Sequence, residues 1–419
     1  NRRFFEEKLA ELLDGASSEQ PLAILMLDLD GFKPINDTHG HAAGDKALCQ
    51  FGARVAAMLR PGSVLARLGG DEFAILIPSI PSLDDVAMLA GRIAATTAEP
   101  YVLDRATVSL GVSVGIAVAP GDGREADHLM RRADRALYRA KAADGPSVRF
   151  FESDMDANFE QRMRIENLLR EAIGAEDGAI RTFYQPLISL EHNRVIGFEA
   201  LCRWNSPSLG PVSPEKFIPV AEETGLINPL GDRLLRQACT DARSWPKDFM
   251  LAFNVSAVQL RDPAFGLRLL SILGETGFDP RRLEIEITET AFVENAEQVR
   301  TVIDQIRQAG VRVALDDFGT GYATLSQLLS LQFDKIKIDR SFVSCLNGKE
   351  NGRVIIHAIL SLAKSFGLTT TAEGIEDQHQ LSYLRTQGCM EGQGFLFSEA
   401  IAATDIPAFL NALPAESVA

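Results

Sequence analysis

The 419-residue chain is poor in cysteine and in positive charge. Its five cysteines are an odd number, widely scattered and without the pair spacing of metal ligands, which excludes a disulfide framework as the basis of the fold. Lys and Arg number 42 against 57 Asp and Glu, and the formal net charge of -15 argues against a nucleic-acid backbone as partner. An anionic substrate would therefore require metal ions.

Long apolar runs are also missing. No run approaches the ~18–20 residues of a membrane span, and no signal peptide opens the chain, so we expect no membrane contact within this fragment and a cytoplasmic location. The chain starts at Asn1, without methionine, which leaves room for upstream sensory or membrane domains in the full-length protein. The length and the 46% hydrophobic content predict two domains with substantial cores.

The first 151 residues predict an α+β domain with helices packed on a mostly antiparallel sheet. Residues 22–30, "LAILMLDLD", form an apolar run that ends in acids, as expected of a strand buried on both faces. The other predicted elements are a helix near 44–59, a hairpin around "LARLGGDEFAIL" (65–76), a helix near 84–98, a strand at 107–117 and a helix near 127–143.

A linker helix is predicted over 152–175, followed by a (β/α)8 barrel of the TIM type over 176–419. In the barrel segment, short apolar strands that end in polar residues recur eight times, and the active site of such a barrel lies at the carboxyl face of its strands. The eight strand ends are "FYQP" (183–186), "GFEALCRW" (197–204), "AFNVS" (252–256), "LEIEITE" (283–289), "VALDDFG" (313–319), "KIKIDRS" (335–341), "TTAEGIE" (370–376) and "GQGFLF" (392–397).

Five oxygen donors fall where barrel strands should end: Glu199, Asn254, Glu286, Asp316 and Asp317. Carboxylate and amide oxygens are the ligands that Mg²⁺ and Mn²⁺ prefer, and such a ring can hold two cations. Any one of these acids alone could be a solvated loop residue, but an apolar run precedes every one of them. Two metals about 4 Å apart can clamp the attacking and leaving oxygens of a phosphoryl displacement.

The strand-end motifs resemble the EAL family of cyclic di-GMP phosphodiesterases over about residues 176–411. The resemblance implies hydrolysis to linear pGpG, with the five donors above as ligands of two metal ions, Lys337 orienting the water and Glu373 as general base. It also implies substrate contacts or site support from Gln185, Arg203, Asp339 and Gln393, and a "DDFGTGYATL" loop braced by Glu289 and shaped by Gly319 and Gly321. Two alternatives remain: Lys337 as a structural ion pair, and Glu373 as a metal ligand.

The glycine turn "GGDEF" indicates a second candidate site, in the first domain. Asp28 ends a central strand and Asp71 follows the two glycines of the hairpin, so adjacent strands would bring both carboxylates together around Mg²⁺. An ordinary hairpin turn is the alternative, because Gly-Gly followed by Asp is common turn chemistry. The segment "LDLDGFKPINDTHGHAAGD" (27–45) favours the nucleotide site.

Together these segments resemble the GGDEF family of diguanylate cyclases over about residues 1–150. The resemblance implies a site for GTP with one or two Mg²⁺ or Mn²⁺ ions, and a homodimer for synthesis, because each domain holds one GTP. The implied metal ligands are Asp28, Asp71 and the carbonyl of Leu29, with Glu72 as supporting group or base. Asn36 and Asp45 would read guanine, and Lys33 and Lys141 would face phosphates.

Two departures from the GGDEF pattern weaken the prediction of synthesis. The Arg-x-x-Asp of the family's inhibitory product site is Arg60-Pro61-Gly62-Ser63 here, and "AADGPS" (142–147) stands where the family usually has Gly-Arg-Asn. GTP binding is thus better supported than cyclase activity. We interpret the chain as a metal-dependent cyclic di-GMP phosphodiesterase regulated by its GGDEF domain. A bifunctional enzyme and a catalytically silent nucleotide receptor are the alternatives.

Overall fold

The structure is a computed structural model that describes residues 1–17, 19–103, 106–142, 147–175, 178–292, 296–319, 332–347 and 350–412. The chain divides into two compact units, Asn1–Met163 and Arg164–Ala419. One helix, Ser153–Gly174, runs across this division, in the region where a linker helix is predicted. None of the helices in the described ranges combines the length and the apolar character needed to cross a bilayer.

The first unit is built on a five-stranded sheet whose neighbouring strands are antiparallel except for the last pair. The central strand coincides with the predicted one because its apolar run fits a strand covered on both faces. In sheet order the strands are β2 (Val64–Gly69), β3 (Glu72–Ile77), β1 (Leu22–Asp30), β6 (Gly111–Ala119) and β7 (Val148–Phe150), while β4 (Tyr101–Val102) and β5 (Thr107–Val108) form a separate hairpin.

Helices cover both faces of this sheet. Side chains of β1 alternate between the faces, so Leu25 and Leu27 belong to one core, whereas Ile24 and Met26 belong to the other. Asp28 has the same parity as Ile24 and Met26 and therefore lies on their face. The helices are α1 (Arg2–Leu13), α2 (Phe32–His39), α3 (His41–Met58), α4 (Leu83–Thr97) and α5 (Ala126–Lys141).

Eight strands of the second unit close into a barrel, as the sequence predicts. Two short strands extend this sheet: β10 (Gly210–Val212) lies beside β9 (Arg194–Ser206), and β17 (Ile401–Ala402) lies beside β8 (Ile180–Ser189). Around the ring the strands are β8 (Ile180–Ser189), β9 (Arg194–Ser206), β11 (Met250–Asn254), β12 (Leu283–Thr288), β13 (Arg312–Phe318), β14 (Lys335–Ile338), β15 (Thr369–Ala372) and β16 (Glu391–Gly392).

The first barrel strand differs from a regular (β/α)8 pattern. β8 is antiparallel to both of its barrel neighbours, β9 and β16. A tight connection joins β8 to β9, and Asn193 in it adopts a left-handed φ of 52°. Gln185 therefore reaches the barrel mouth from the middle of an antiparallel strand, directly opposite Glu199 in the register, and not from a strand end.

The barrel strands alternate between an apolar outer face and a charged interior. Ile285, Ile287, Ile336 and Ile338 are buried in the core shared with the surrounding helices. The residues between them are charged and turn inward. The helix that crosses the division is α6 (Ser153–Gly174), and the further helices in the described part of this unit are α7 (Pro214–Glu223), α8 (Ile227–Ala242), α9 (Ala257–Leu260), α10 (Phe265–Thr276), α11 (Ala296–Gln308), α12 (Arg340–Ser344), α13 (Glu350–Phe366), α14 (Gln378–Thr386) and α15 (Ile406–Ala412).

Candidate active site

A cavity of about 560 Å³ opens among the barrel residues predicted for the site. Two predicted residues that do not line it, Glu286 and Lys337, are almost completely buried beside it, where Lys337 pairs with Glu286 and with Asp316 of the cavity lining. Nine of the predicted residues line it: Gln185, Glu199, Arg203, Asn254, Asp316, Asp317, Asp339, Glu373 and Gln393. The structure therefore brings together side chains that are up to 208 positions apart in the sequence.

Lys337 is the central cation of this cluster and is 1% exposed. Its Nζ lies 2.6 Å from Glu286 Oε2, 2.6 Å from Glu373 Oε1, 3.4 Å from Asp316 Oδ2 and 3.9 Å from Glu199 Oε1. Burial acts to lower the pKa of Lys337, but the surrounding carboxylates outweigh it and hold that pKa well above its ordinary value. Lys337 therefore stays charged and aligns the acids around it.

Hydrogen bonds from two amides fix the carboxylate of Glu199. Asn254 Nδ2 donates to Glu199 Oε1 at 2.6 Å, and Gln393 Nε2 donates to Glu199 Oε2 at 2.6 Å. Gln393 Nε2 also donates to Gln185 Oε1 at 2.8 Å. Although burial acts to raise the pKa of Glu199, Lys337 and the amide donors lower it, so this carboxylate is ionised at neutral pH.

A β-bulge turns two adjacent acids toward the site. In a regular strand Asp316 and Asp317 would face opposite sides of the sheet, but the register of β13 with β14 shifts between Leu315 and Phe318. Asp317 adopts a left-handed φ of 54°, and its backbone N–H donates to Asp316 Oδ1 at 2.9 Å. Such backbone geometry is costly and concentrates at functional sites.

The turn after these acids is braced by Glu289, a buried residue. Its Oε1 accepts a hydrogen bond from the Gly319 N–H at 2.8 Å. Gly319 has a φ of +97°, a conformation that favours glycine because a side chain would be strained there. Gly321, predicted to shape the same loop, lies outside the described residues, as do the other residues of 320–331.

Three carboxylates that line the cavity are close enough together to hold a metal ion. Asp316, Asp317 and Glu373 each contribute one carboxylate oxygen, and these three oxygens lie within 4.8 Å of one another. Glu286 Oε1 is buried without a hydrogen-bond partner in the described part of the chain, which is an acceptor suited to a cation. The donor set is all oxygen, the chemistry that hard divalent cations prefer. Glu373 belongs to this group, so both of its predicted roles, base and ligand, fit the geometry.

We expect the affinity for Mn²⁺ to fall as the pH decreases from about 8 to 5. Burial raises the pKa of Glu373 to about 7; the positive charge of Lys337 acts to lower this pKa, and the negative charges of Asp316 and Glu199 act to raise it. Burial, together with the negative charges of Asp316 and Asp339, raises the pKa of Asp317 to about 6. Below these values protons compete with the cation, by about tenfold in affinity per proton and pH unit. Calorimetry in two buffers of different ionisation enthalpy measures the affinity and the protons released. An affinity independent of pH would contradict the assignment.

The rim of the cavity holds further groups. Asp339 caps helix α12, because its Oδ1 accepts from the Ser341 N–H at 3.0 Å. Arg203 is exposed and donates from Nη1 to the carbonyl of Cys202 at 3.0 Å. Arg340 and Phe395 also line the cavity, although neither was among the predicted site residues. Both could have been predicted from their neighbours in the sequence, because Arg340 directly follows the predicted site residue Asp339 and Phe395 lies two residues after the predicted site residue Gln393.

The acids of the first unit lie on paired strands. Asp28 of β1 is directly opposite Glu72 of β3 in the register. The Asp28 carboxylate lies 2.6 Å from Lys141 Nζ at the end of α5. Glu72 is exposed, with Arg2 at 4.0 Å. A neighbouring acid that the site prediction did not include, Asp30, accepts from Ser113 Oγ at 3.1 Å, and burial raises its pKa.

The remaining residues predicted to bind the nucleotide lie on β1, on α2, on α3 and in the turn between β2 and β3. Asp71 follows Gly70, whose φ of +49° makes the hairpin turn. Leu29 is buried, Lys33 and Asp45 are exposed, and Asn36 is partly buried. Helices α2 and α3 approach so closely that a Cβ at Gly44 would lie 2.1 Å from Asn36 Oδ1. Residues 143–146, within the atypical "AADGPS" segment, lie outside the described residues.

Each of the two units of the chain matches a known protein family. Residues 1–146 match the family described as "Diguanylate cyclase, GGDEF domain", and residues 166–400 match the EAL domain. The chain is a GGDEF–EAL protein. The resemblance seen in the sequence motifs is thereby confirmed for both halves.

Curated relatives of this GGDEF–EAL protein cover nearly all of its length. The uncharacterized protein y4lL of Sinorhizobium fredii is 42% identical over 98% of this chain and 50% of its own length. The bifunctional diguanylate cyclase/cyclic di-GMP phosphodiesterase MucR of Pseudomonas aeruginosa is 35% identical over 97% of this chain and 60% of its own. The chain thus spans only about half to three fifths of the length of these relatives.

Solved structures match the barrel fold. The PaMucR phosphodiesterase in complex with c-di-GMP is 33% identical, covers 58% of this chain and 99% of its own, and superposes with a TM-score of 0.56. The EAL enzyme Bd1971, with cAMP and cyclic di-GMP bound, is 25% identical over 73% of this chain and 82% of its own, with a TM-score of 0.57.

Proposed function

We propose that the EAL domain hydrolyses cyclic di-GMP to linear pGpG with Mg²⁺ or Mn²⁺, and that the GGDEF domain binds GTP and regulates this reaction. The observation that carries the proposal is the barrel cluster, in which the predicted ligands Glu199, Asn254, Glu286, Asp316 and Asp317 all belong to one network of contacts around Lys337 and the cavity. A silent receptor would not need this set of acids.

The residues of the chain have defined tasks in the proposed reaction. Glu199, Asn254, Glu286, Asp316 and Asp317 would hold two divalent cations, which would supply Lewis-acid stabilisation of the reacting phosphate. Glu373 accepts the proton of the attacking water, because its pKa of about 7 suits a general base at neutral pH. Lys337, whose Nζ lies 2.6 Å from Glu373 Oε1, would orient the attacking water beside this base.

Substrate contacts come from the rim of the same cavity. Arg203 is an exposed cation suited to the second phosphate of the dinucleotide, and Gln185, Asp339 and Gln393 supply polar contacts. In the first unit, Asp28, Asp71 and the carbonyl of Leu29 would hold the metal of a bound GTP, with Glu72 as supporting group or base. Lys33 and Lys141 would lie at its phosphates, and Asn36 and Asp45 at its guanine. A homodimer would follow if the GGDEF domain also synthesised cyclic di-GMP.

Exchange of the metal ion tests the hydrolytic proposal. We expect turnover of cyclic di-GMP with Mg²⁺ or Mn²⁺, none after chelation, and inhibition by Ca²⁺. The larger radius and looser coordination of Ca²⁺ widen a site sized for the smaller ions. Product formation is followed by chromatography at equal concentrations of each metal. Full hydrolysis with Ca²⁺ as the only divalent ion would overturn the metal assignment.

GTP is expected to raise the hydrolysis of cyclic di-GMP several-fold. A ligand shifts an equilibrium only if it prefers one arrangement over another, and allosteric couplings typically amount to ~1–3 kcal/mol, or about 5–150-fold in affinity. Hydrolysis is measured against GTP concentration in the wild type and in Asp71→Ala, which should lose the activation. Asp84→Ala, an exposed acid in the first turn of α4, is the matched control. If wild-type hydrolysis did not change with GTP concentration, or if GTP activated Asp71→Ala equally, the coupling would be refuted and the two domains would act independently.

A further inference from the structure

A second set of polar side chains meets inside the barrel, nearer the amino ends of the strands than the catalytic cluster. Lys335 Nζ lies 2.6 Å from Glu284 Oε1 and 2.7 Å from Glu391 Oε2. Thr371 Oγ1 donates to Glu391 Oε2 at 2.8 Å. Lys335 is 4% exposed and Glu284 1%. These four residues, called the lower layer below, are buried except for Glu391, whose side chain is 15% exposed, and none of them lines the cavity of the candidate active site.

Each member of the lower layer precedes a member of the candidate active site by two residues: Glu286 and Lys337 lie on the same strand as their partner, and Glu373 and Gln393 directly follow the end of the partner's strand. Residues two apart on a strand point to the same face and are about 7 Å apart along it, so the two sets are stacked. The pairs are Glu284 with Glu286 at β12, Lys335 with Lys337 at β14, Thr371 with Glu373 at β15, and Glu391 with Gln393 at β16.

The Lys335 ammonium joins strands that are not neighbours. Glu284 belongs to β12, Lys335 to β14 and Glu391 to β16, whereas β13 and β15 lie between them in the sheet. Backbone ladders connect only adjacent strands, so these ion pairs fix a distance across the barrel interior that the ladders leave open. In (β/α)8 barrels, side chains from alternate strands fill one layer of the interior.

Stability does not account for the lower layer. Buried ion pairs are often replaced by apolar side chains without loss of stability, because the desolvation of both charges offsets their attraction. Glu284 Oε2 is, in addition, buried without a hydrogen-bond partner in the described ranges, which carries a further cost. Burial acts to lower the pKa of Lys335, but Glu284 and Glu391 hold it above its ordinary value, so the lysine stays charged.

We propose that the lower layer is a positioning layer for the active site. It holds β12, β14, β15 and β16 at the spacing at which Glu286, Lys337, Glu373 and Gln393 form their cluster, and none of its members touches the substrate. The inference rests on the proposed phosphodiesterase function. Outer-shell groups that orient metal ligands typically account for 10–100-fold in metal affinity or activity, which sets the expected scale.

A charge-neutral variant separates positioning from stability. Lys335→Met combined with Glu284→Gln and Glu391→Gln removes all three charges at similar side-chain volume. In the full chain we expect a melting temperature equal to or above that of the wild type, with Mn²⁺ affinity by calorimetry and kcat for cyclic di-GMP each reduced about 10–100-fold. KM should change less than about threefold, since no substrate contact is lost.

Two further variants keep the test decisive. Arg307→Met removes a partly buried ion pair with Asp334 that belongs to neither layer, and should lower the melting temperature without changing Mn²⁺ affinity or kcat. Thr371→Val removes only the hydroxyl that binds Glu391, and we expect a several-fold loss of both quantities that Thr371→Ser restores. Thr371→Val also decides the question if the neutral variant fails to fold.

Wild-type Mn²⁺ affinity and kcat in the folded neutral variant, or in Thr371→Val, would overturn the positioning role. Weaker Mn²⁺ binding by these variants, with restoration in Thr371→Ser, would support it even if the substrate were misassigned. Absence of cyclic di-GMP turnover in the wild type, with Mn²⁺ binding intact, would instead refute the proposed function. The two failures are therefore distinguishable.

Discussion

Asp316→Ala is expected to abolish measurable hydrolysis of cyclic di-GMP while the fold survives. Asp316 is 8% exposed, and its Oδ2 lies 3.4 Å from Lys337 Nζ. Together with Asp317 and Glu373 it forms the group of carboxylates that could hold a metal ion. A cation that stabilises phosphoryl transfer contributes several kcal/mol, so its loss costs at least about 10³-fold in kcat. Glu199→Ala should have the same effect, because its carboxylate is the acceptor for both Asn254 and Gln393.

Turnover at saturating Mg²⁺ and circular dichroism together test this expectation. Glu275→Ala is a matched control, because Glu275 is an exposed acid on α10 that pairs with Arg236 on the outside of the barrel. Its turnover should equal that of the wild type. If Asp316→Ala or Glu199→Ala turned over cyclic di-GMP at close to the wild-type rate, the assignment of a two-metal site in the barrel would be refuted.

Glu373→Gln is expected to lower kcat by about 10²–10⁴-fold, the usual contribution of a general base. The replacement keeps the size of the side chain but removes its basic oxygen. Burial raises the pKa of Glu373 to about 7, so in the wild type the base limb of the activity should rise with pH through that value. The variant should lose this limb, and its KM for cyclic di-GMP should change little.

Metal occupancy decides between the two roles that the geometry allows for Glu373. If Glu373 is the base, Glu373→Gln keeps wild-type Mn²⁺ stoichiometry and affinity within a few-fold. Glu376→Gln is a control in the same cavity, since Glu376 is exposed and belongs to neither charged cluster. A loss of bound metal in Glu373→Gln, with normal binding in Glu376→Gln, would make Glu373 a ligand.

Much of the fold was predictable because apolar runs that end in polar residues mark strands directly. The predicted strand 22–30 coincides with β1, and all eight barrel strand ends fall on or directly beside observed strands. The antiparallel direction of β8 was missed, although a signal was available. Only a few residues separate β8 from β9, whereas a parallel connection needs a dozen or more.

Other features depend on tertiary structure. Sequence alternation assigns Asp316 and Asp317 to opposite faces, and only the bulge and the left-handed Asp317 bring both to one site. Alternating charges such as those of Lys335 and Lys337 usually indicate a solvent-exposed face. In a closed barrel that face is the interior, which is why the lower layer was not found among the sequence motifs. The predicted residue roles themselves remain predictions until the variants are measured.

The central claim is tested most directly by identifying the products formed when the protein is incubated separately with cyclic di-GMP and with GTP. Chromatography after incubation with Mg²⁺ should show linear pGpG from cyclic di-GMP in the wild type and none in Asp316→Ala. Intact cyclic di-GMP after prolonged incubation of folded, metal-loaded wild type would contradict the proposed phosphodiesterase. Formation of cyclic di-GMP from GTP would instead establish the bifunctional alternative.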